Sequence, residues 1–539
     1  VSGTAEQPPI FRDIEAAMRR NDGPAAYALA REALASGLRH PALHVLRGQW
    51  HESEGRPLDA VQDFDAALQL NPGEARALLG LGRSLNQAGR YRMALRALAR
   101  RIALPPPDAA AFYQLGFAHE QLGELAAAAE AYQNALSLDA RMDDAIARLA
   151  ALAARRGDHE EAHRLADRAL ALNARSITAV FAHIVSDLAE RRFAEAAARA
   201  EAITKRTDAA EPVRANAQSF LGDARDGERR YADAFRAYQS ANESLLALNR
   251  ATFEGRETGR AVAQRLMREF QALPASAWRS ASPGHPARHA FIIGFPRSGT
   301  TLLGQILAAH PDCATLEEKP LLKRVLSEFV DAAGGLARFA ALPEDALEPH
   351  RAAYWTAVRE NGVDPAARFV VDQTPLNTIH LPVIARLFPA ARIVFALRDP
   401  RDVVLSCFRR LFAITPYLYE FLSLEGAAWF YDETMRLFGL YRERLGREII
   451  EVRNETLAAD FGREARRLCD ALGLGWDDAL LRFAEKSRGA GIATPSAMQL
   501  AGGINADGVG HWKAYARELA PVMPVLAPWV ERYGYGQNS

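Results

Sequence analysis

The sequence predicts two architectures in series: an N-terminal α-helical solenoid, and a C-terminal α/β domain with a parallel sheet and a phosphate-loop-like turn. Three observations carry this reading. Glycines recur every 34 residues through the first half. Beyond about residue 288 the pattern changes to short apolar runs alternating with amphipathic stretches, which argues for strands and helices in a parallel sheet. The first of those runs leads into Gly294-Phe-Pro-Arg-Ser-Gly299-Thr-Thr, the outline of a strand, an anion-binding loop and a helix start. A chain of 539 residues is too long for a single core. The expected division is a helical-repeat domain over 1–272, a linker over 273–287 and the α/β domain over 288–539.

In the first half, Gly55, Gly89, Gly123 and Gly157 share one register. Ala26, Ala60, Ala94, Ala128, Ala162 and Ala196 share a second, and Gly48, Gly82, Gly116 and Ala150 a third. Each register has a physical reason. The small residue in a first helix lets its partner approach, the glycine closes the turn, and the alanine lies on the crowded face of the second helix. These marks resemble tetratricopeptide (TPR) repeats, whose period is 34 residues. The period slips by about four residues near Thr204–Pro212 and resumes at Gly227-Glu-Arg-Arg-Tyr-Ala-Asp-Ala234. Six or seven repeats are expected between residues 10 and 250, stacked as a solenoid. The resemblance implies a concave face that takes a peptide or protein; a spacer or a homodimer surface is the alternative use.

His159-Glu-Glu-Ala-His163 matches the zinc-peptidase pattern H-E-x-x-H. It falls at the start of a repeat helix, Ala162 is explained by the repeat, and no third ligand is evident, so no metal is expected. Residues 251–272 read as one more amphipathic helix. The Pro-, Ser- and Gly-rich stretch from Leu273 to Pro286 reads as the linker. Strands are then predicted at 289–294, 369–372, 392–397 and 448–452, with helices at 300–309, 319–333, 380–387, 401–411 and 424–445. In such a sheet, ligands bind at the carboxyl ends of the strands.

Two loops at those ends carry anion-binding chemistry. The first differs from an NTP-binding loop, which reads G-x-x-x-x-G-K-[ST]: Thr300 stands where the Lys belongs, and Arg297 lies inside the loop. The second follows the run Ile393–Leu397 and reads Arg398-Asp-Pro-Arg401-Asp-Val-Val-Leu-Ser406. It sets a guanidinium at a strand end and a hydroxyl just over one turn into the next helix, a pair suited to one phosphate, although an Arg–Asp surface pair would read the same way.

Together, Pro296-Arg297-Ser298-Gly299-Thr300-Thr301 and Arg398…Ser406 resemble the sulfotransferases that use 3′-phosphoadenosine 5′-phosphosulfate (PAPS). The likeness is nearest to tyrosylprotein sulfotransferases and TPR-fused bacterial sulfotransferases. It extends to His310-Pro…Glu317-Glu318 and to Gln499…Asn505…Trp512, and covers about residues 288–515. The resemblance implies that 296–301 hold the 5′-phosphosulfate, that Arg398 and Ser406 hold the 3′-phosphate, and that the product is 3′-phosphoadenosine 5′-phosphate. It assigns the base to Glu318, with Glu317 or Asp372 next, and catalytic roles to Arg297 and to Ser496 near the sulfate. Adjacent carboxylates raise one another's pKa, which suits a base for a phenol. The leaving phosphate is already a good one, so a metal is not demanded.

Three positions depart from the family pattern. Gln373 stands where a Lys is usual, Asn454 where a Tyr helps seat the adenosine, and Gly502 where nearer relatives have a Lys. Lys319 or an additional Arg is the expected substitute cation. Trp512 reads either as a nucleotide cover or as core. The expected activity is sulfuryl transfer from PAPS to a peptide or protein hydroxyl of tyrosine-like kind; a saccharide or small-phenol acceptor and a nucleotide-binding scaffold that turns over slowly are the alternatives.

Composition removes other classes. Formal charge is zero, which does not suggest a broad nucleic-acid surface. Three scattered cysteines, Cys313, Cys407 and Cys469, fit neither a disulfide framework nor a zinc site and suit a reducing compartment. The first residues lack a signal-peptide pattern, and no apolar run approaches a membrane span. A cytoplasmic protein is the expectation.

Overall fold

The computed structural model describes residues 8–278, 288–483 and 508–536. It divides into two compact units, Val1–Ser186 and Asp187–Ser539. Fifteen helices lie between Pro9 and Gln271, in the helix–turn–helix succession that the repeats predict.

In the first unit the glycine registers act as expected. A Cβ on Gly48 would lie 2.8 Å from the Phe64 ring, on Gly82 2.5 Å from Leu98, and on Gly116 2.7 Å from the Tyr132 ring. The large residue of each second helix therefore occupies the space that the glycine leaves. Gly55, Gly89, Gly123 and Gly157 close their turns with φ between +69° and +82°. In the second unit the same left-handed turn is made by Arg191 (φ +62°) and Arg229 (φ +61°). The last repeat consists of helices Glu211–Gly227 and Tyr231–Phe253. There Gly222 receives Tyr238, where an added Cβ would lie 2.4 Å from the ring, so the motif resumes after the slip.

The sheet has five parallel strands in the order β2-β3-β1-β4-β5: β1 His289–Gly294, β2 Cys313–Glu317, β3 Phe369–Gln373, β4 Arg392–Leu397 and β5 Ile449–Arg453. β1 is central, with Phe291 in register with Asp372 on one side and Ile393 on the other. Strand parity splits the core. Ala290, Ile292, Val371, Val394 and Ala396 pack on Leu302, Leu303 and Ile306 of helix Thr300–Ala309. Phe291, Ile293, Val370, Ile393 and Phe395 face the larger core, which includes Phe430 and Phe438 of helix Leu424–Leu445. That larger core also contains Ala234 and Tyr238 of the last repeat.

Several elements differ from prediction. β2 was not predicted as a strand; it forms the sheet edge beside β3. The helix expected over 319–333 is only Lys323–Phe329, because Pro320 and a turn precede it. Residues 251–253 finish the preceding helix, Gly255 turns at φ +72°, and the predicted 251–272 helix begins at Gly259. A 3₁₀ turn, Pro375–His380, precedes helix Leu381–Leu387.

Candidate active site

The loop after β1 and the helix after β4 interlock. Arg297 Nε donates to Ser406 Oγ at 3.0 Å, and Arg398 Nη1 donates to the Arg297 carbonyl at 3.2 Å. The two separate sequence signatures thus form one basic cleft at the carboxyl ends of β1 and β4. Gly299 caps helix Thr300–Ala309 with φ +103°, and a Cβ there would fall 2.9 Å from Asn454 Oδ1. The amides of this first helical turn lack intrahelical partners and form an anion cradle. Pro296, Ser298, Thr300 and Thr301 are buried around it.

Two buried polar atoms beside the loop lack a partner. Among the described residues, the buried Ser298 Oγ and Arg398 Nε have no hydrogen-bond partner. Both residues line a closed pocket with Phe295, Phe395, Tyr431 and Met435 that has no room for a water, so these are internal unsatisfied groups, each costing about 1–3 kcal/mol. The cations are also crowded. Burial, then the nearby Arg410, Arg398 and Arg409, push the Arg297 guanidinium down to about 9. An anion relieves that repulsion. Crowded guanidiniums and a helix N-terminus are the donor set a phosphosulfate needs.

Two site residues hold left-handed backbone that side chains rarely adopt: Arg297 at φ +70° and Glu318 at φ +48°. Such strain persists only where the surroundings enforce it. The Glu318 amide donates to the Gln373 carbonyl at 2.8 Å, which anchors the residue at the end of β2. Loss of water contacts and the neighbouring Glu317 carboxylate raise the Glu318 carboxyl above its ordinary range, against the pull of Arg297. Its side chain still meets solvent.

Asp372 is placed differently. It is buried in β3, with Tyr354 OH 3.2 Å and Thr374 Oγ1 3.1 Å from its two oxygens, and burial pushes it up to about 7. Tyr354 OH also lies 2.8 Å from His289 Nε2. Sealed in the core, this carboxyl cannot reach an acceptor. Gln373, one residue on, turns to the opposite face under helix Thr300–Ala309 and is fully buried. Neither side-chain polar atom has a partner among the described residues, nor does the nearby Thr315 Oγ1.

Trp512 packs in the core with the Arg401 guanidinium 3.7 Å over its ring, so it is filler rather than a cover. Ser496, Gly502 and the 499–505 stretch lie outside the described residues. Of the H-E-x-x-H pair, His163 approaches His183 at 2.7 Å between Nδ1 atoms, and His183 Nε2 meets Asp167 at 3.0 Å. A separate cavity of about 320 Å³ is lined by Trp429, Asp432, Arg436 and three prolines and holds none of the predicted site residues.

Sequence reasoning missed Arg409 and Arg410 at the end of helix Pro400–Arg409, and their partners Asp223 and Asp226 on the last repeat. The paired arginines were a signal; their carboxylates, more than 180 residues upstream, were not.

Comparison with known proteins matches residues 290–478 to the sulfotransferase family, and 14–75, 52–115 and 109–141 to tetratricopeptide repeats. The chain joins a sulfotransferase-family domain to a TPR array. The sulfotransferase match begins at β1 and takes in both anion loops, which supports sulfuryl transfer as this domain's chemistry. An uncharacterized protein of Aquifex aeolicus (strain VF5) is 26% identical over 337 residues, 60% of this chain and 43% of that one. The chain therefore spans less than half of that relative's length. Protein-tyrosine sulfotransferase 1 of Danio rerio is 25% identical over 260 residues, 46% of this chain and 72% of that protein. Among solved structures, MamA 41-end from Desulfovibrio magneticus RS-1 is 26% identical and covers 31% of this chain and 94% of its own, with a TM-score of 0.28. The TPR matches suggest a role in protein–protein interaction. Among the described residues, no helix is long and apolar enough to cross a membrane.

Proposed function

We propose that this chain transfers a sulfuryl group from PAPS to an acceptor hydroxyl on a peptide or protein offered by its TPR array, with tyrosine the favoured side chain. The observation that carries the reading is the Arg297–Ser406 hydrogen bond, which ties the two signatures into one cationic cluster beside a helix N-terminus. PAPS, when bound, would supply the activated sulfuryl group on a phosphate leaving group.

The chain's own residues have separable tasks. The first-turn amides after Gly299, with Arg297 and Thr300, would hold the 5′ end and steady charge on the transferring oxygens. Arg398 and Ser406 would hold the 3′-phosphate. Glu318, with its carboxyl raised and its side chain open to solvent, would take the acceptor proton. Lys319 or an additional arginine would compensate for Gln373; Arg410 is a candidate whose charge is felt at Arg297, although Asp223 already pairs with it.

The test is incubation of the full chain with ³⁵S-labelled PAPS and lysate, against Arg297→Ala. Label in a protein band that disappears with the variant supports the reading; label in a glycan or small phenol replaces the acceptor. A second reading, nucleotide binding with little turnover, is favoured by Gln373, buried under Gly304 with no charge to offer. It predicts heat on titration with 3′,5′-bisphosphoadenosine but no label transfer to any fraction.

A further inference from the structure

The repeat array does not end at the edge of the sulfotransferase domain. Its last helix pair packs on the element that carries Ser406: Asn242 Nδ2 donates to the Phe408 carbonyl at 2.8 Å, and the Phe235 and Phe408 rings lie 5.1 Å apart. On helix Glu211–Gly227, Asp223 and Asp226 are three residues apart and so share one face. Asp223 accepts from Arg410 at 2.7 Å and from Tyr238 OH at 2.8 Å. Asp226 accepts from Arg409 at 2.9 Å, lies 2.9 Å from His511 Nε2, and accepts from Tyr515 OH. The Arg409 guanidinium also lies 5.2 Å over the Tyr238 ring and 5.6 Å over the Tyr515 ring.

The stretch that carries His511 and Tyr515 reaches the anion cleft at its other end. Arg398 donates to the Gly508 carbonyl. In between, Asp402 accepts from the Gly510 amide at 2.7 Å and the Trp512 amide at 2.8 Å. Residues 508–515 are therefore fastened at Arg398, at Asp402 and at Asp226, while Asp226 also fixes the end of the helix that carries Ser406.

We propose that Asp226, seconded by Asp223, is a positioning residue of the nucleotide site: the last TPR repeat holds Arg409, Arg410 and the 508–515 stretch so that Arg398 and Ser406 face the bound anion. This inference rests on the nucleotide reading above and adds to it that the site is assembled partly from the repeat array. A merely charge-balancing role has the opposite signature. Removing a carboxylate from a cationic cleft then strengthens anion binding, whereas loss of positioning weakens it.

The test is calorimetric titration of the full chain with 3′,5′-bisphosphoadenosine, comparing the unaltered protein with Asp226→Asn, Asp226→Glu, Tyr515→Phe and, as an exposed-carboxylate control, Asp208→Asn. Asp226→Asn is expected to weaken binding about tenfold, Tyr515→Phe about threefold, and the control not at all. Hydrogen exchange over 508–515 should quicken in the first two, and Asp226→Glu should recover part of the affinity. Unchanged or tighter binding by Asp226→Asn overturns the proposal. If that variant does not fold, Tyr515→Phe decides on the same criterion. No heat from the unaltered chain refutes the nucleotide reading itself, and this inference with it.

Discussion

Ser406→Ala tests whether the two anion loops act as one. In the structure Arg297 Nε donates to Ser406 Oγ at 3.0 Å, with both residues partly exposed. A hydrogen bond to a charged group is worth about 1.5–3 kcal/mol, and partial exposure favours the lower end. Loss of about 1.5 kcal/mol is about a tenfold weakening of the dissociation constant. Two independent grips on opposite ends of a nucleotide would give additive losses. An interlocked pair would not, because Arg297→Ala already removes what Ser406 supports. We therefore expect a calorimetric cycle over wild type, Ser406→Ala, Arg297→Ala and the double variant, titrated with 3′,5′-bisphosphoadenosine, to show a coupling of about 1.5 kcal/mol. Thermal midpoints should fall by no more than a few degrees, since the bond that is lost is also made in the unliganded fold. Additivity within about 0.5 kcal/mol would refute the single-cleft argument.

Three further outcomes are expected. Because burial and Glu317 raise the Glu318 carboxyl, its basic form is lost as pH falls through a value above the usual carboxylate range; the acid limb of kcat/KM should lie correspondingly high, and Glu318→Gln should abolish most turnover and that limb, whereas an unchanged profile would exclude this base. Gln373→Lys puts an ammonium at a fully buried position where the glutamine has no polar partner among the described residues, so the transfer rate should change and the nucleotide should raise Tm more than in the wild type; equal rates and equal shifts would remove position 373 from the site. Gly116→Ala drives a methyl to 2.7 Å from the buried Tyr132 ring, whose hydroxyl is tied to Glu120, and should cost about 1–3 kcal/mol in urea unfolding; an unmoved midpoint would show that the repeat can yield there.

Much of the fold was legible because its signals are local. The turn glycines, the apolar runs of β1 and β4 and the helix Leu424–Leu445 emerge at or within a residue of their predicted bounds. β2 was not legible: Cys313-Ala-Thr-Leu-Glu317 has a weak apolar pattern, and pairing with β3 rather than propensity makes it a strand. Gly255 marked the break within 251–272, but the amphipathic pattern on either side masked it. At the site, the motif residues 296–301, Arg398 and Ser406 emerge around one cleft. The fate of Gln373 followed from strand parity with Phe369 and Val371, a local rule that motif matching passes over. The clamp of Asp223 and Asp226 on Arg410 and Arg409 joins residues separated by 183 to 187 positions, and no spacing within the chain announces it.

The shared core of Tyr238, Ala234 and the sheet has a practical corollary for building chimaeras. A graft that exchanges the whole helical array just before β1 would strip an aromatic ring and two carboxylates from the sulfotransferase-family half and leave Arg409 and Arg410 without their aspartate partners. A junction upstream of Asp187 keeps the final repeat with the sheet, so the helices of the first unit become an exchangeable cassette while the sulfotransferase-family domain travels with the helix pair packed on it.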